Sequence, residues 1–221
     1  MKTGVIVFPG SNCDRDIEYV LKHHYKHTVD FIWHKNSIEE KYDLIVVPGG
    51  FSYGDYLRCG AIARFSNAMK SLESHISSGR RVLGICNGFQ ILTEAGLLPG
   101  TLMRNKNLKH ICKNVFLKKG SSSNPLTSGI TEDTILDIPV SHSEGSYFAD
   151  EDTLKRLEDE NSIFYKYAID NPNGSVADIA GVTSSDFLIA GLMPHQERAV
   201  DDWCSSKNGI QFFDSYFSSF N

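Results

Sequence analysis

Two kinds of hydrophobic pattern alternate along residues 1–95. Short apolar runs stand at Gly4–Phe8 and within Asp43–Val47 and Arg81–Ile85, with Val29–Trp33 a further strand candidate, and the runs at Gly4–Phe8 and Asp43–Val47 stop at Pro9-Gly10 and Pro48-Gly49-Gly50. A run of this length closed by turn residues predicts a buried strand. Between them, apolar residues recur at three- and four-residue steps. Ile17, Val20, Leu21 and His24 predict a helix from about Asp14 to Tyr25, and Gly88–Ala95 predicts another. Ile62, Phe65, Met69, Leu72 and Ile76 predict an amphipathic helix that Gly79 ends. Strand alternating with helix predicts an α/β fold: a doubly wound, mostly parallel sheet with helices on both faces. After about residue 101 the rhythm breaks into short strands, turns such as Asn171-Pro172-Asn173-Gly174, and the charged stretch Glu151–Glu160. It returns with Phe187–Leu192 and an aromatic C-terminal helix around Phe212, Tyr216 and Phe217. Gly120–Asn124 reads as a flexible loop rather than a linker, so a single domain over 1–221 is expected.

The strand Arg81–Ile85 runs into Gly84-Ile85-Cys86-Asn87-Gly88 and then a helical segment. Strand, Gly-x-Cys-x-Gly and helix together describe a nucleophile elbow with cysteine as the nucleophile. Glycine on either side leaves room for a strained turn, and the helix N-terminus favours thiolate over thiol. The competing reading is a buried, inert cysteine, the ordinary fate of a lone thiol. A thiolate nucleophile needs a base. His195 and Glu197 follow the apolar run Phe187–Leu192, and two residues apart in extended chain they would share a face, with Glu197 orienting the imidazole. An oxyanion needs two donors. The Asn87 N–H is one candidate and the Gly50 turn supplies the other, although Gly49-Gly50 also reads as a plain turn.

Composition narrows the field. The chain has 221 residues, 41% hydrophobic and 22% charged, which suits one sizeable core. The net charge of −5, without a basic excess, disfavours a nucleic-acid ligand. Five scattered cysteines without a CxxC pair favour neither a disulfide framework nor a zinc site. His23, His24 and His27 could hold a metal, since His23 and His27 lie four apart on a helix, but a polar face with two lysines explains them more simply. The N-terminal apolar run is too short for a signal peptide, and no run is long enough to span a membrane, so a cytoplasmic protein is expected. A Walker-type phosphate loop is missing, so no cofactor is expected in this chain.

The sequence resembles the class I, triad-type glutamine amidotransferases, and within them the branch serving the fourth step of purine synthesis. The matching stretches are Phe8–Asp14, Pro48–Arg58, Gly84–Leu92, Leu102–Asn105, Asn171–Ser175, Asp178–Gly181 and Met193–His195, spread over nearly the whole chain. The resemblance implies a Cys86–His195–Glu197 triad and an oxyanion hole from Gly50 and Asn87. It implies glutamine contacts near Phe51, Gln90, Ser141 and His142; a solvated turn histidine is the plainer reading of His142. It further implies hydrolysis of glutamine to glutamate and ammonia, a large ATP-dependent synthetase partner holding ATP and Mg, and a small accessory subunit. Three positions depart from the family's habit: Gln196 for proline, Cys59 for alanine and Ser143 for glycine. Two alternatives stand beside this reading. One is a cysteine hydrolase of the PfpI/DJ-1 type, and the other is a non-catalytic docking subunit.

Overall fold

The computed structural model describes residues 1–220. In chain order its strands are β1 (Lys2–Val7), β2 (Thr28–Trp33), β3 (Leu44–Val47), β4 (Arg81–Ile85), β5 (Thr101–Met103), β6 (Ile111–Lys119), β7 (Leu136–His142), β8 (Ser146–Phe148), β9 (Ile163–Tyr167), β10 (Ile179–Thr183) and β11 (Ile189–Leu192). Its helices are α1 (Asp14–Tyr19), α2 (Asn67–Ser77), α3 (Asn87–Glu94), α4 (Glu151–Asp159) and α5 (Asn208–Ser218). The chain forms two compact units, one of residues 1–98 and 188–191, the other of 99–187 and 192 onward.

The first unit is the regular α/β part. Its strands run in the order β2-β1-β3-β4-β11. β1 pairs in parallel with β2 and β3, and β3 with β4. All four residues of β3 are buried, as a strand covered on both faces requires. Helices α1, α2 and α3 pack against β1, β3 and β4. Because the strands are parallel, the chain leaves β1, β3 and β4 along one edge, where sites in such sheets are built.

Two helices differ from expectation. The α-helix α2 begins at Asn67, because Ser66 caps it by accepting a hydrogen bond from Met69 N–H at 3.2 Å. Ile62 and Phe65 therefore lie outside it, and Phe65 is exposed. Helix α1 keeps α geometry only to Tyr19 and widens into a π turn over Val20–His24, with Val20 and Leu21 buried. His27 is also buried, with Nδ1 3.0 Å from Thr3 Oγ1, while the His23 ring lies beside Tyr19.

The second unit is built mainly from antiparallel pairs: β6 with β7 and β9, β9 with β10 across register shifts, and β5 with β8. Alternating burial along β7 (Leu136, Ile138, Val140 and His142 in) sets one face toward the unit's core. There Phe164 and Tyr165 of β9 meet Phe212 and Tyr216 of α5. The charged stretch after residue 150 is helix α4, started by Asp150 accepting from Thr153 N–H at 2.8 Å. The segment 120–124 is tied down rather than loose. Ser121 N–H donates to Ile163 carbonyl, and buried Asn124 donates to Asn161 carbonyl and accepts from Leu126 N–H.

Candidate active site

Cys86 sits between β4 and α3 at φ 50°, ψ −107°, a conformation an L-residue adopts only when its surroundings enforce it. The two glycines are the enforcement. A Cβ on Gly84 would lie 2.8 Å from the Gly88 backbone, and one on Gly88 only 1.8 Å from the Val47 carbonyl oxygen. Strand and helix approach so closely that any side chain at either position would open the corner. The Cys86 side chain is buried at the start of α3, where unpaired helical N–H groups favour negative charge.

The β3 end is locked to the β1 end. Gly50 has φ +146°, and a Cβ there would lie 2.7 Å from the Gly10 carbonyl oxygen. Phe51 N–H donates to Gly10 carbonyl at 2.9 Å, and Tyr53 N–H to Pro9 carbonyl at 2.7 Å. The Gly49 carbonyl accepts from Asn12 and Cys13 N–H. These bonds give the Phe8–Asp14 stretch its role: it is the bed on which the Gly49–Tyr53 turn rests. Phe51 is half exposed, and Gln90 is buried with Oε1 accepting from Asn87 Nδ2 at 2.8 Å.

In the second unit His195 and Glu197 meet, with Nδ1 2.6 Å from Oε1 and both residues buried. They do so across a tight 3₁₀ turn (Gln196–Arg198), not along extended chain as the spacing suggested. His195 N–H donates to the Pro139 carbonyl at 2.8 Å, which fixes the turn to β7. An ionised Glu197 can only accept, so it holds the proton on Nδ1 and leaves Nε2 as the basic nitrogen. Gln196 is wholly buried, and neither polar atom of its amide has a hydrogen-bond partner among the described residues.

His142 is not a solvated turn residue: it is buried, held by an asparagine that sequence reasoning did not single out. Asn105 Nδ2 donates to the Lys109 and His142 carbonyls, and its Oδ1 accepts from Gly145 N–H. The amide orientation is thereby fixed, so His142 Nδ1, 3.1 Å from that Oδ1, must carry the proton. Nε2 is left as a bare acceptor without a partner among the described residues. Burial, with His195 and His110 adding smaller repulsion, pulls the His142 pKa down to about 4, so the ring is neutral at physiological pH. Asn173 completes the support, donating to the Gly145 carbonyl at 2.7 Å and accepting from Ser175. Ser141 and Ser143 hydroxyls lie 3.0 and 3.1 Å from the two His110 ring nitrogens. Only the recurrence of asparagine in Arg104-Asn105 and Asn171–Ser175 hinted at this network, and nothing in those turns says what they hold.

Residues 1–214 match the CobB/CobQ-like glutamine amidotransferase domain. Two relatives, each the phosphoribosylformylglycinamidine synthase subunit PurQ, come from Leptospira interrogans serovars copenhageni and Lai. Each is 53% identical over 219 residues, covering 99% of this chain and all of the relative. Among solved structures, PurLQS from Thermotoga maritima contains a chain 36% identical to this one. It matches at TM-score 0.88 over 100% of this chain and 99% of that one, so the doubly wound α/β class expected from the alternation is shown. A protein from Thermoplasma acidophilum described as a GMP synthase component is 13% identical. It matches over 100% of this chain and 94% of its own at TM-score 0.65, a likeness of fold alone.

Proposed function

The chain belongs to the CobB/CobQ-like glutamine amidotransferase domain family, and from that premise we propose that it is the glutaminase subunit of a phosphoribosylformylglycinamidine synthase in purine synthesis. One observation carries the chemistry: a cysteine held at positive φ between two obligatory glycines at a helix start, in a chain that elsewhere pairs a buried imidazole with a carboxylate.

In the proposed cycle His195 Nε2 takes the Cys86 thiol proton, and the thiolate attacks the side-chain amide carbon of glutamine. The carbonyl π electrons move onto oxygen, which the Gly50 and Asn87 N–H groups stabilise. As the oxyanion collapses, the C–N bond breaks and His195 Nε2 delivers its proton to the departing ammonia. Water then attacks the γ-glutamyl thioester while His195 Nε2 takes its proton; the C–S bond breaks, the proton returns to the Cys86 sulfur and glutamate leaves. Glu197 keeps the imidazole in one tautomer throughout. Phe51, Gln90, Ser141 and His142 contact the substrate; the bare His142 Nε2 suits one of glutamine's N–H donors.

Residues 1–221 act as one amidotransferase domain. The ammonia goes to a large synthetase subunit, which holds ATP and Mg and converts formylglycinamide ribonucleotide to formylglycinamidine ribonucleotide, with a small accessory subunit completing the complex. A shielded path keeps the ammonia from becoming non-nucleophilic ammonium. The complex is cytoplasmic; among the described residues no helix is long and apolar enough to cross a membrane.

The test is Cys86→Ala in the assembled complex. Glutamine-dependent synthesis should disappear while synthesis from added ammonia persists. Full glutamine-dependent activity would mean that this chain only docks, and loss of both activities would make Cys86 structural.

A further inference from the structure

Asn87 follows the nucleophile, and its buried side-chain amide uses its hydrogen-bonding positions on both sides. Oδ1 accepts from Ser52 N–H at 3.1 Å and from Ser52 O–H at 2.5 Å. Nδ2 donates to Gln90 Oε1 at 2.8 Å and to Asp55 Oδ1 at 3.2 Å. The orientation is not arbitrary. A backbone N–H can only donate, so the amide atom facing Ser52 is oxygen, and a carboxylate can only accept, so the atom facing Asp55 is nitrogen. The amide thus ties the first turn of α3 to the turn that follows Gly50.

That turn does not support itself. Tyr53, Gly54 and Asp55 lie one after another in left-handed conformation, at φ 56°, 72° and 52°. For Tyr53 and Asp55 this is a strained conformation that persists only when neighbours hold them there. The bed formed by Pro9 and Gly10 holds the near end of the turn, and Asn87 holds the far end.

We propose that the Asn87 side chain is a positioning residue: it fixes the spacing between the Asn87 and Gly50 N–H groups at which the reaction's oxyanion is bound. The proposal rests on the glutaminase reading above and adds a role to a side chain whose backbone alone had one. Donor spacing matters most when negative charge has developed on oxygen, so the amide should act on turnover rather than on ground-state binding.

Glutamate γ-semialdehyde, measured on the assembled complex, reports this directly. The Cys86 sulfur forms a bond to the aldehyde carbon, the C=O π bond breaks, and the thiol proton ends on the new hydroxyl oxygen, which occupies the oxyanion position. Asn87→Asp keeps the size and the bonds from Ser52 but sets a carboxylate against Asp55 and Gln90 Oε1. It should lower kcat for glutamine by about 10- to 100-fold with KM within about threefold, and weaken semialdehyde binding by the same factor. Affinity for glutamate should not change. Asp55→Ala should behave alike and Asp55→Asn should restore most of the loss, because an amide oxygen can still accept from Asn87. If Asn87→Asp does not fold, Ser52→Ala removes a single hydroxyl and should show the same pattern at about 3- to 10-fold. Unchanged kcat and semialdehyde affinity in these variants, or a loss confined to KM, overturns the proposal and leaves the triad standing. A wild-type complex that does not bind the semialdehyde through Cys86 overturns the triad reading and this proposal with it.

Discussion

The elbow around Cys86 and the histidine turns of the second unit are both rigid, but for opposite reasons. The elbow is held by what its glycines lack. Gly84 and Gly88 let β3, β4 and α3 approach until no side chain fits, and steric contact then confines the Cys86 backbone. The second unit holds its rings by what its polar side chains supply: Glu197 for His195, and Asn105, seconded by Asn173, for His142 and its turn. Steric rigidity fails abruptly when volume is added. Hydrogen-bonded rigidity fails by degrees, and first in protonation and tautomer.

The largest effect that would sharpen this contrast is Glu197→Gln. An amide can donate to His195 Nδ1 and pin the wrong tautomer, so kcat for glutamine should fall by roughly 10³- to 10⁴-fold with the melting temperature nearly unchanged. Steady-state kinetics beside a thermal melt checks both halves. Gly88→Ala comes next. Its Cβ cannot coexist with the Val47 carbonyl 1.8 Å away, so a stability loss of more than about 4 kcal/mol is expected in denaturant titration, with activity lost through the fold. A well-folded Gly88→Ala protein would break the steric half of the comparison. Asn105→Ala should cost about 2–4 kcal/mol, because it orphans the buried Gly145 N–H and two carbonyls.

Protonation supplies a gentler probe. Burial lowers the pKa of both His27 and His142 from 6.5 to about 4; the N-terminal ammonium adds to the effect at His27 and Asp43 opposes it. The unfolded chain binds protons first as pH falls, so these rings favour the folded state fully above pH 6.5 and lose that contribution between about 6.5 and 4. Stability should drop over this window by up to about 1.4 kcal/mol per pH unit for each ring, and His27→Gln should flatten the slope. The smallest effect is a gain. Gln196→Pro removes a buried amide without partners among the described residues and sets proline at the first position of the 3₁₀ turn, where its fixed φ suits the backbone. It should stabilise the protein by about 1–2 kcal/mol, seen as a higher melting temperature.

The same contrast explains what the sequence made legible. A glycine demanded by a backbone contact is visible as a letter at a fixed offset from Cys86, so the elbow could be read from the letters alone. The strands β1, β3 and β4 were equally plain, since a strand buried on both faces is an unbroken apolar word. Helix α4 was not, because Leu154 and Leu157 are its only apolar residues and its start depends on one cap, Asp150. The period through Ile62 and Phe65 overran α2 because Ser66 starts a new helix inside an apparently continuous pattern. Asn105, Asn173, Ser52 and Asp55 stayed hidden for a different reason. Each acts on a residue far away in the chain or through one side-chain atom, and neither relation leaves a spacing to count.

The measurement that bears most directly on the whole account is the site of covalent labelling in the assembled complex. A chloroketone analogue of glutamine should attach to one thiol, and peptide mass mapping should place it on Cys86, with excess glutamine protecting. Label on Cys13, Cys59, Cys112 or Cys204 instead, or no label in a complex that still hydrolyses glutamine, would contradict the account.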